Sequence, residues 1–375
     1  MHVAIDLRIA DARGMEMTGS GRYALEATRS LQRARPNWRF SLFSNRPELL
    51  CRTGATVFST RLPTEHALAR VAWLHTAAAL PAIRSRPDVW FSPSFVLPLW
   101  WPGRAVVTIH DLTFLLLRGR YRGSPNAWYA TTATRWSARR ANRVLCGSHE
   151  TRKLLVAHFG VDAAKVEVIP YGVADSFFAM PALATSSRQL CPHPYVLFVG
   201  TWEARKGLPT LYAAVRQVNA ERERVRLVLA GQAGWGTEQV LEAMRRDPSV
   251  DLHERPSDDE LADLYRDALA LAYPSEMEGF GLPVAEAMAC GCPVIASDLP
   301  SIREFAGAHP LYITAGDSHQ LARHIEQLLT GDPDADERRQ HGRDAVASLR
   351  WSALGERTAT VIERLSEQDP SQLQG

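Results

Sequence analysis

Short apolar runs alternate with longer amphipathic stretches along the chain, most regularly in its second half. YVLFVG (195–200), VRLVLAG (225–231), VDLHE (250–254), ALALAYP (268–274), CPVIAS (292–297) and PLYIT (310–314) are apolar runs bounded by Gly, Pro or polar positions, which predicts strands. The stretches between them carry helical spacing. At Ser257 the signal is sharpest: Ser257 and Glu260 form a capping box, and Leu261, Leu264, Tyr265 and Ala268 follow at helical intervals. Such alternation predicts a parallel, doubly wound α/β sheet with helices on both faces. The first half repeats the theme, with HVAIDLRI, a helix to about Arg33, then WRFSLFS, DVWFSP, RAVVTIH, RVLCGS and KVEVIP as further strands.

Between the halves, MPALATSSRQLCPHP is rich in Pro, Ser and Thr and has no period, as suits a linker. A chain of 375 residues exceeds one typical core of ~100 to 200 residues, so two domains are expected. The expected division is a Rossmann-like domain at 1–180, a linker at 181–194, a second Rossmann-like domain at 195–350, and a terminal helix at 351–375, where WSALGERTATVIERL adds an amphipathic period. Open α/β sheets bind ligands at the carboxyl ends of their strands, so an interdomain cleft is the expected site.

Charge narrows the functional classes. The 43 basic and 41 acidic residues nearly cancel, so bulk charge gives no call for nucleic acid. The five cysteines are odd in number and show no paired metal or disulfide spacing, which fits a reducing compartment, and Cys290 and Cys292 read as small buried residues. The first residues read as a strand without the features of a signal peptide. The longest apolar runs are broken by Pro98 or contain His110 and Asp111, short of the ~20 clean residues a spanning helix needs. A cytoplasmic protein is expected.

The candidate chemistry lies in YPSEMEGFGLPVAEAMACGCPVIAS (273–297), where a strand ends, a Gly-rich loop follows and a helix opens near Pro283. Gly279 and Gly281 let backbone amides approach an anion at the positive end of that helix. Glu278 and Glu286 flank the loop and suit sugar hydroxyls rather than phosphate, suggesting two sugars such as a hexose and a ribose. In VGTWEARKGLPTL (199–211), Arg205 and Lys206 stand at the end of another strand, where a fork and a point charge can reach a pyrophosphate. Each feature alone also fits a solvated helix end. Gly19, Gly21 and Ala24 match a dinucleotide fingerprint, but they do not follow the first strand directly, and the second strand ends without an acid, so a nicotinamide site is not expected.

EGFGLPVAEAMACGCPVI resembles the signature of glycosyltransferase family 4, whose paired glutamates are spaced as Glu278 and Glu286 are. VGTWEARKGL, SHETRKLLVAHFGVDAAKVEVIPYGV, VVTIHDLTFL and TGSGRYALEATRSL extend the resemblance over most of the chain. It implies the GT-B fold of two Rossmann-like domains, a last helix packed back on the first domain, and a retaining transferase that needs no metal or other cofactor. By the same resemblance Glu278 would bind the donor hexose and Glu286 the ribose. The backbone of Gly279, Phe280, Gly281 and Leu282 would meet hexose and phosphate, and Arg205 with Lys206 would hold the diphosphate. His110 would contact the transferred sugar, with Asp111 beside it a candidate for acceptor or local structural contacts. Gly19, Gly21 and Arg22 match the family's first-domain Gly loop near phosphate and acceptor. Thr201 stands where many relatives have an arginine, and Arg205 is the expected substitute.

The resemblance to polysaccharide mannosyltransferases through TIHDL and GTxxxRK implies GDP-mannose as the first donor to consider, with UDP-hexoses next, and a glycan or lipid-linked acceptor. A GT-B epimerase and a non-catalytic nucleotide-sugar-binding protein are the alternatives. The first half is locally basic and aromatic at Trp100, Trp101, Arg118, Arg120, Tyr121, Arg122, Trp128, Tyr129, Arg135, Trp136, Arg139, Arg140 and Arg143. These suit either peripheral contact with an anionic inner membrane face or a solvated helix with buried tryptophans.

Overall fold

Each half of the chain folds around one parallel sheet. The structure is a computed structural model describing residues 1–11, 18–50, 54–60, 62, 64, 66–76, 78–117, 125–179, 193–221 and 224–367. It divides into unit 1, Met1–Gly172 with Trp351–Gly375, and unit 2, Val173–Arg350. Most of the expected linker, including Cys191, lies outside the described residues, as does Cys51.

Unit 1 runs β1 (His2–Asp6), α1 (Gly19–Ala34), β2 (Arg39–Phe43), β3 (Thr56–Phe58), α2 (Ala67–His75), α3 (Ala79–Ser85), β4 (Val89–Ser92), β5 (Arg104–Thr108), α4 (Thr113–Leu116), α5 (Pro125–Arg140), β6 (Arg143–Cys146), α6 (His149–Phe159) and β7 (Val166–Val168). Its sheet order is β3-β2-β1-β4-β5-β6-β7, all pairs parallel. Strands covered on both faces need apolar residues at nearly every position, which is why HVAID and VWFS are buried throughout. β3 is too short to show a period, so the hydrophobic pattern gives no sign of it.

Unit 2 runs α7 (Asp175–Phe178), β8 (Tyr195–Trp202), α8 (Leu208–Val218), β9 (Arg226–Ala233), α9 (Glu238–Arg246), β10 (Val250–Glu254), α10 (Asp258–Asp267), β11 (Ala270–Tyr273), α11 (Leu282–Ala289), β12 (Val294–Ser297), α12 (Pro300–Ala306), β13 (Leu311–Ile313), α13 (Ser318–Thr330) and α14 (Ala335–Val346). The sheet order is β10-β9-β8-β11-β12-β13. The Ser257–Glu260 capping box opens α10 with both reciprocal bonds formed. α7 packs on α10 and α11, which is why residues from Val173 onward group with unit 2, ahead of the boundary expected at 180.

The terminal helix α15 (Trp351–Glu367) belongs to unit 1 and lies along α1. Its buried face, including Leu354, Ile362 and Leu365, supplies the apolar contact, and Arg35 bonds Glu363 at 2.6 Å and Glu356 at 2.7 Å at the rim. Among the described residues no helix is long and apolar enough to cross a membrane.

Candidate active site

In unit 2 the chain lays β9 and β10 on one side of β8 and then returns to place β11 on the other. The segments leaving β8 and β11 therefore diverge at a topological switch point, where open α/β sheets form ligand crevices. Gly207 is what lets the two loops meet. Its φ is +71°, and a Cβ there would stand 2.2 Å from the Pro274 carbonyl oxygen. The Glu276 amide also donates to the Arg205 carbonyl at 2.8 Å, tying one loop to the other.

The side chains at this point form one buried ionic cluster. Lys206 Nζ donates to Glu278 Oε1 at 2.6 Å and to the Tyr273 hydroxyl at 2.8 Å. Arg205 Nη1 reaches the same Oε1 at 3.2 Å and the Met277 carbonyl at 3.1 Å, while its Nε meets Glu203 Oε2 at 3.1 Å. Side-chain exposures of 13%, 9% and 8% for Arg205, Lys206 and Glu278 leave little water to screen these charges. Burial alone would raise the Glu278 pKa, but Lys206 and Arg205 outweigh it and hold the carboxyl down to about 2. Burial lowers the Lys206 ammonium, opposed by Glu278. The cations expected to await a diphosphate thus already hold a carboxylate, and with Glu203 the cluster is formally neutral.

Glu286 has different surroundings although it is only eight residues further on. It is 3% exposed in α11, and Tyr265 of α10 donates its hydroxyl to Oε2 at 3.1 Å. Between the two glutamates, Gly281 caps α11 at φ +104°. α12 braces this loop: Ser301 Oγ donates to the Glu278 carbonyl at 2.8 Å, and Phe305 stacks on Phe280 with ring centroids 4.7 Å apart. A Cβ on Gly281 would lie 3.1 Å from Ile302 Cγ1. Thr201 sits near the end of β8, paired in register with Gln232 of β9.

In unit 1, His110 lies just beyond β5 and is 7% exposed. Its Nδ1 is 2.6 Å from the Tyr171 hydroxyl and its Nε2 is 3.1 Å from the Pro93 carbonyl oxygen. Burial pushes its pKa down to about 4 against the opposing pull of Asp111 and Pro93, so the ring is neutral at pH 7. Asp111 Oδ1 accepts from the Thr113 amide at 2.8 Å and from the Thr113 hydroxyl at 2.6 Å, an Asx-type turn leading into α4. Gly19 and Gly21 stand in the first turn of α1 rather than in a loop, with Thr18 accepting from the Gly21 amide at 3.3 Å, and Arg22 follows on the same turn.

Much of the basic and aromatic set is structural. The Trp100 and Trp101 indoles donate to the Leu74 and Arg104 carbonyls, Arg139 to Phe159, Arg140 to Pro102 and Arg143 to Asn142. Trp136 packs on the core, and Tyr129 meets His75 at 3.1 Å. Trp128 is 74% exposed, and Arg135 is exposed on the same helix. Arg118, Arg120, Tyr121 and Arg122 lie outside the described residues. Cys146, Cys290 and Cys292 are free thiols, and burial raises the last two, Cys292 to about 12, which makes them poor nucleophiles.

Sequence reasoning overlooked the residues that hold these groups in place: Glu203, Tyr265 as more than a core residue, Tyr273, Ser301 and Tyr171. Glu203 and Tyr273 adjoin the recognised motifs and could have been flagged by that proximity. Tyr171 and Ser301 reach their partners only through the fold and carry no local signal.

Comparison with known proteins places these features in a family. A model described as Glycosyl transferases group 1 matches residues 190–345, and one described as Glycosyltransferase Family 4 matches residues 17–177. The chain is 29% identical over 347 residues to O-antigen chain mannosyltransferase B of Escherichia coli, covering 84% of this chain and 88% of the relative. It is 30% identical over 275 residues to O-antigen chain mannosyltransferase RfbU of Salmonella typhimurium, covering 67% of this chain and 73% of the relative. Among solved structures, WaaG, a glycosyltransferase involved in lipopolysaccharide biosynthesis, matches with a TM-score of 0.77 and 16% identity over 96% of this chain and 99% of that one. At that identity the likeness speaks to the GT-B fold alone.

Proposed function

The chain belongs to glycosyltransferase family 4, and from that premise we propose that it moves mannose from GDP-mannose to a hydroxyl of a surface polysaccharide or lipid-linked glycan, with retention of configuration. The observation that carries this reading is the ionic cluster at the switch point of unit 2, where Arg205 and Lys206 converge on Glu278 Oε1 beside the loop that opens α11. Mannose as the sugar rests on the two O-antigen mannosyltransferase relatives, and UDP-hexoses stand next.

On this reading the donor enters by exchange. Its diphosphate takes over the Arg205 and Lys206 donors now spent on Glu278, and the released carboxylate accepts hydrogen bonds from hexose hydroxyls. Glu286, held by Tyr265, takes the ribose hydroxyls, and the Gly279–Leu282 backbone faces hexose and phosphate. Thr201 borders the diphosphate at the end of β8. As the bond to the sugar breaks, the two cations and the amides opening α11 stabilise the departing diphosphate, and no cofactor is required. The donor phosphate assists deprotonation of the acceptor on the same face, and trapping a covalent glycosyl-enzyme would overturn that step. His110 contacts the transferred sugar as a neutral group. Gly19, Gly21 and Arg22 serve the donor phosphate and acceptor, and Asp111 contributes to the acceptor side from the turn that leads into α4.

Peripheral attachment to an anionic membrane on its cytoplasmic face is part of the same proposal. It is supported by exposed Trp128 and Arg135, and by Leu99, which is 61% exposed and linked to Tyr129 through His75. Co-sedimentation with anionic but not neutral vesicles, lost in Trp128→Ser, is the expected result.

The deciding experiment is a thermal-shift series with GDP, UDP, ADP and dTDP and their sugars, followed by product analysis with a glycan acceptor. A shift confined to guanine nucleotides, with mannose transferred, supports the proposal. A shift confined to uridine nucleotides replaces mannose with a UDP-hexose, and release of an epimerised sugar without acceptor overturns transfer.

A further inference from the structure

His110 has two ring nitrogens and the fold engages both. Nε2 faces the Pro93 carbonyl at 3.1 Å, and a carbonyl can only accept, so Nε2 carries the proton. Nδ1 then presents its lone pair, and the Tyr171 hydroxyl at 2.6 Å is the donor to it. Three rings hold the imidazole in that orientation: Tyr23 at 4.8 Å, Phe95 at 5.2 Å and Tyr171 at 5.7 Å between centroids, all edge-on. The Tyr23 hydroxyl is itself held 3.2 Å from Thr108 Oγ1, so the box has its own anchor on β5.

We propose that Tyr171 is a positioning residue that caps Nδ1 of His110 and holds the ring in place while the Pro93 carbonyl sets the neutral Nε2–H tautomer, leaving that Nε2–H as the edge that a substrate oxygen takes over. No proton changes hands in this step: the Nε2–H exchanges one oxygen acceptor for another, and Tyr171 keeps its bond to Nδ1 throughout. His110 therefore acts neither as a general base, since its lone pair is capped, nor as a cationic acid. The titratable groups facing the ring are Tyr23, Tyr171 and Asp111, with Cys146 coupled to both tyrosines. Burial raises both tyrosines, so they remain hydroxyl donors across the working pH range. The tautomer follows from unit 1 alone, whereas its use in turnover rests on the reading of His110 given under Proposed function.

Long-range proton–nitrogen correlation spectra of histidine-labelled protein read the tautomer directly, with the His110 signals assigned by their loss in His110→Gln. At pH 7 the expected pattern is protonated Nε2 and unprotonated Nδ1, unchanged down to about pH 5 given the ring's lowered pKa. An Nδ1–H pattern, a tautomer mixture or an imidazolium at pH 6 overturns the proposal, and this arm needs no variant to fold beyond the one used for assignment. Tyr171→Phe leaves Pro93 on Nε2, so the tautomer is expected to stay while the Nδ1 resonance moves to that of an unbonded nitrogen and kcat falls by about 10-fold with donor KM held within about 2-fold. A purely structural tyrosine would lower the folded fraction while the Nδ1 resonance and the kcat of the folded enzyme stayed put, and that result overturns the proposal. If His110→Gln leaves turnover unchanged while the Nε2–H pattern is seen, the role of His110 in transfer falls and the positioning by Tyr171 stands.

Discussion

Unit 1 buries its histidine among aromatic rings and neutral oxygens, whereas unit 2 buries a glutamate between two cations. Both sites are nearly dry, but they satisfy burial by opposite means. His110 gives up its charge, because no opposite charge lies close enough to outweigh desolvation. Glu278 keeps its charge, because Lys206 and Arg205 outweigh the same penalty. The neutral site gives each nitrogen a neutral oxygen, so exchanging one acceptor for another there moves no charge. The ionic site shares one carboxylate between two cations, so on the proposed reading an incoming diphosphate leaves that carboxylate to the hexose hydroxyls.

That contrast is broken most directly by removing the central ions. Lys206→Met is expected to lower kcat/KM by about 100- to 1000-fold, the scale of losing one preorganised charge at a leaving group. Steady-state kinetics check this, and a loss below about 5-fold would show that the cation does not meet the leaving group. Glu278→Ala leaves two buried cations without their shared carboxylate and is expected to cost about 3–5 kcal/mol in urea unfolding. His110→Gln, which removes only neutral hydrogen bonds, is expected to cost about 1–3 kcal/mol in the same assay. Equal costs would mean that the cluster is not ion-paired in solution.

Acid titration sharpens the comparison by separating the two sites in pH. A group with a depressed pKa contributes stability that is lost as pH falls, because the unfolded chain takes up the proton first. His110 loses its contribution between its ordinary value of 6.5 and about 4, and Glu278 between 4.5 and about 2. His110→Gln is therefore expected to flatten the upper part of the stability-versus-pH curve and Glu278→Gln the lower part, both read from urea midpoints at stepped pH. The smallest effect expected is from Ser301→Ala, which removes the hydroxyl bonded to the Glu278 carbonyl at 2.8 Å. About 1 kcal/mol of stability and a few-fold of kcat are at stake, with nucleotide affinity nearly unchanged.

The sheets and the chemical loops of this protein were open to reading from the chain because both depend on local order. A strand covered on both faces must be apolar over consecutive positions, and a tight loop that turns into a helix start at positive φ favours Gly, as at Gly281. Ser257 and Glu260 announced their helix because a capping box closes within one turn. The same locality explains what was misread or left open. GSG looked like a loop, yet Gly19 and Gly21 are carried into the first turn of α1 once Thr18 caps it. The Trp and Arg cluster suited either a membrane-facing surface or a solvated helix with buried tryptophans, and packing turned several of its polar edges onto backbone carbonyls.

By itself the sequence determined which residue types stand at the ends of β8 and β11, and thereby the family. It could not determine what those residues do to one another. Glu278 lies on a different loop from Arg205 and Lys206, and only the placing of β11 beside β8, with Gly207 admitting the close approach, decides that one carboxylate oxygen serves both cations. Tyr171 is equally remote from His110 along the chain, and only the parallel order β5-β6-β7 brings its hydroxyl to Nδ1. Protonation states follow from such encounters, because the cost of burying a charge depends on neighbours that the fold supplies rather than on neighbours in sequence.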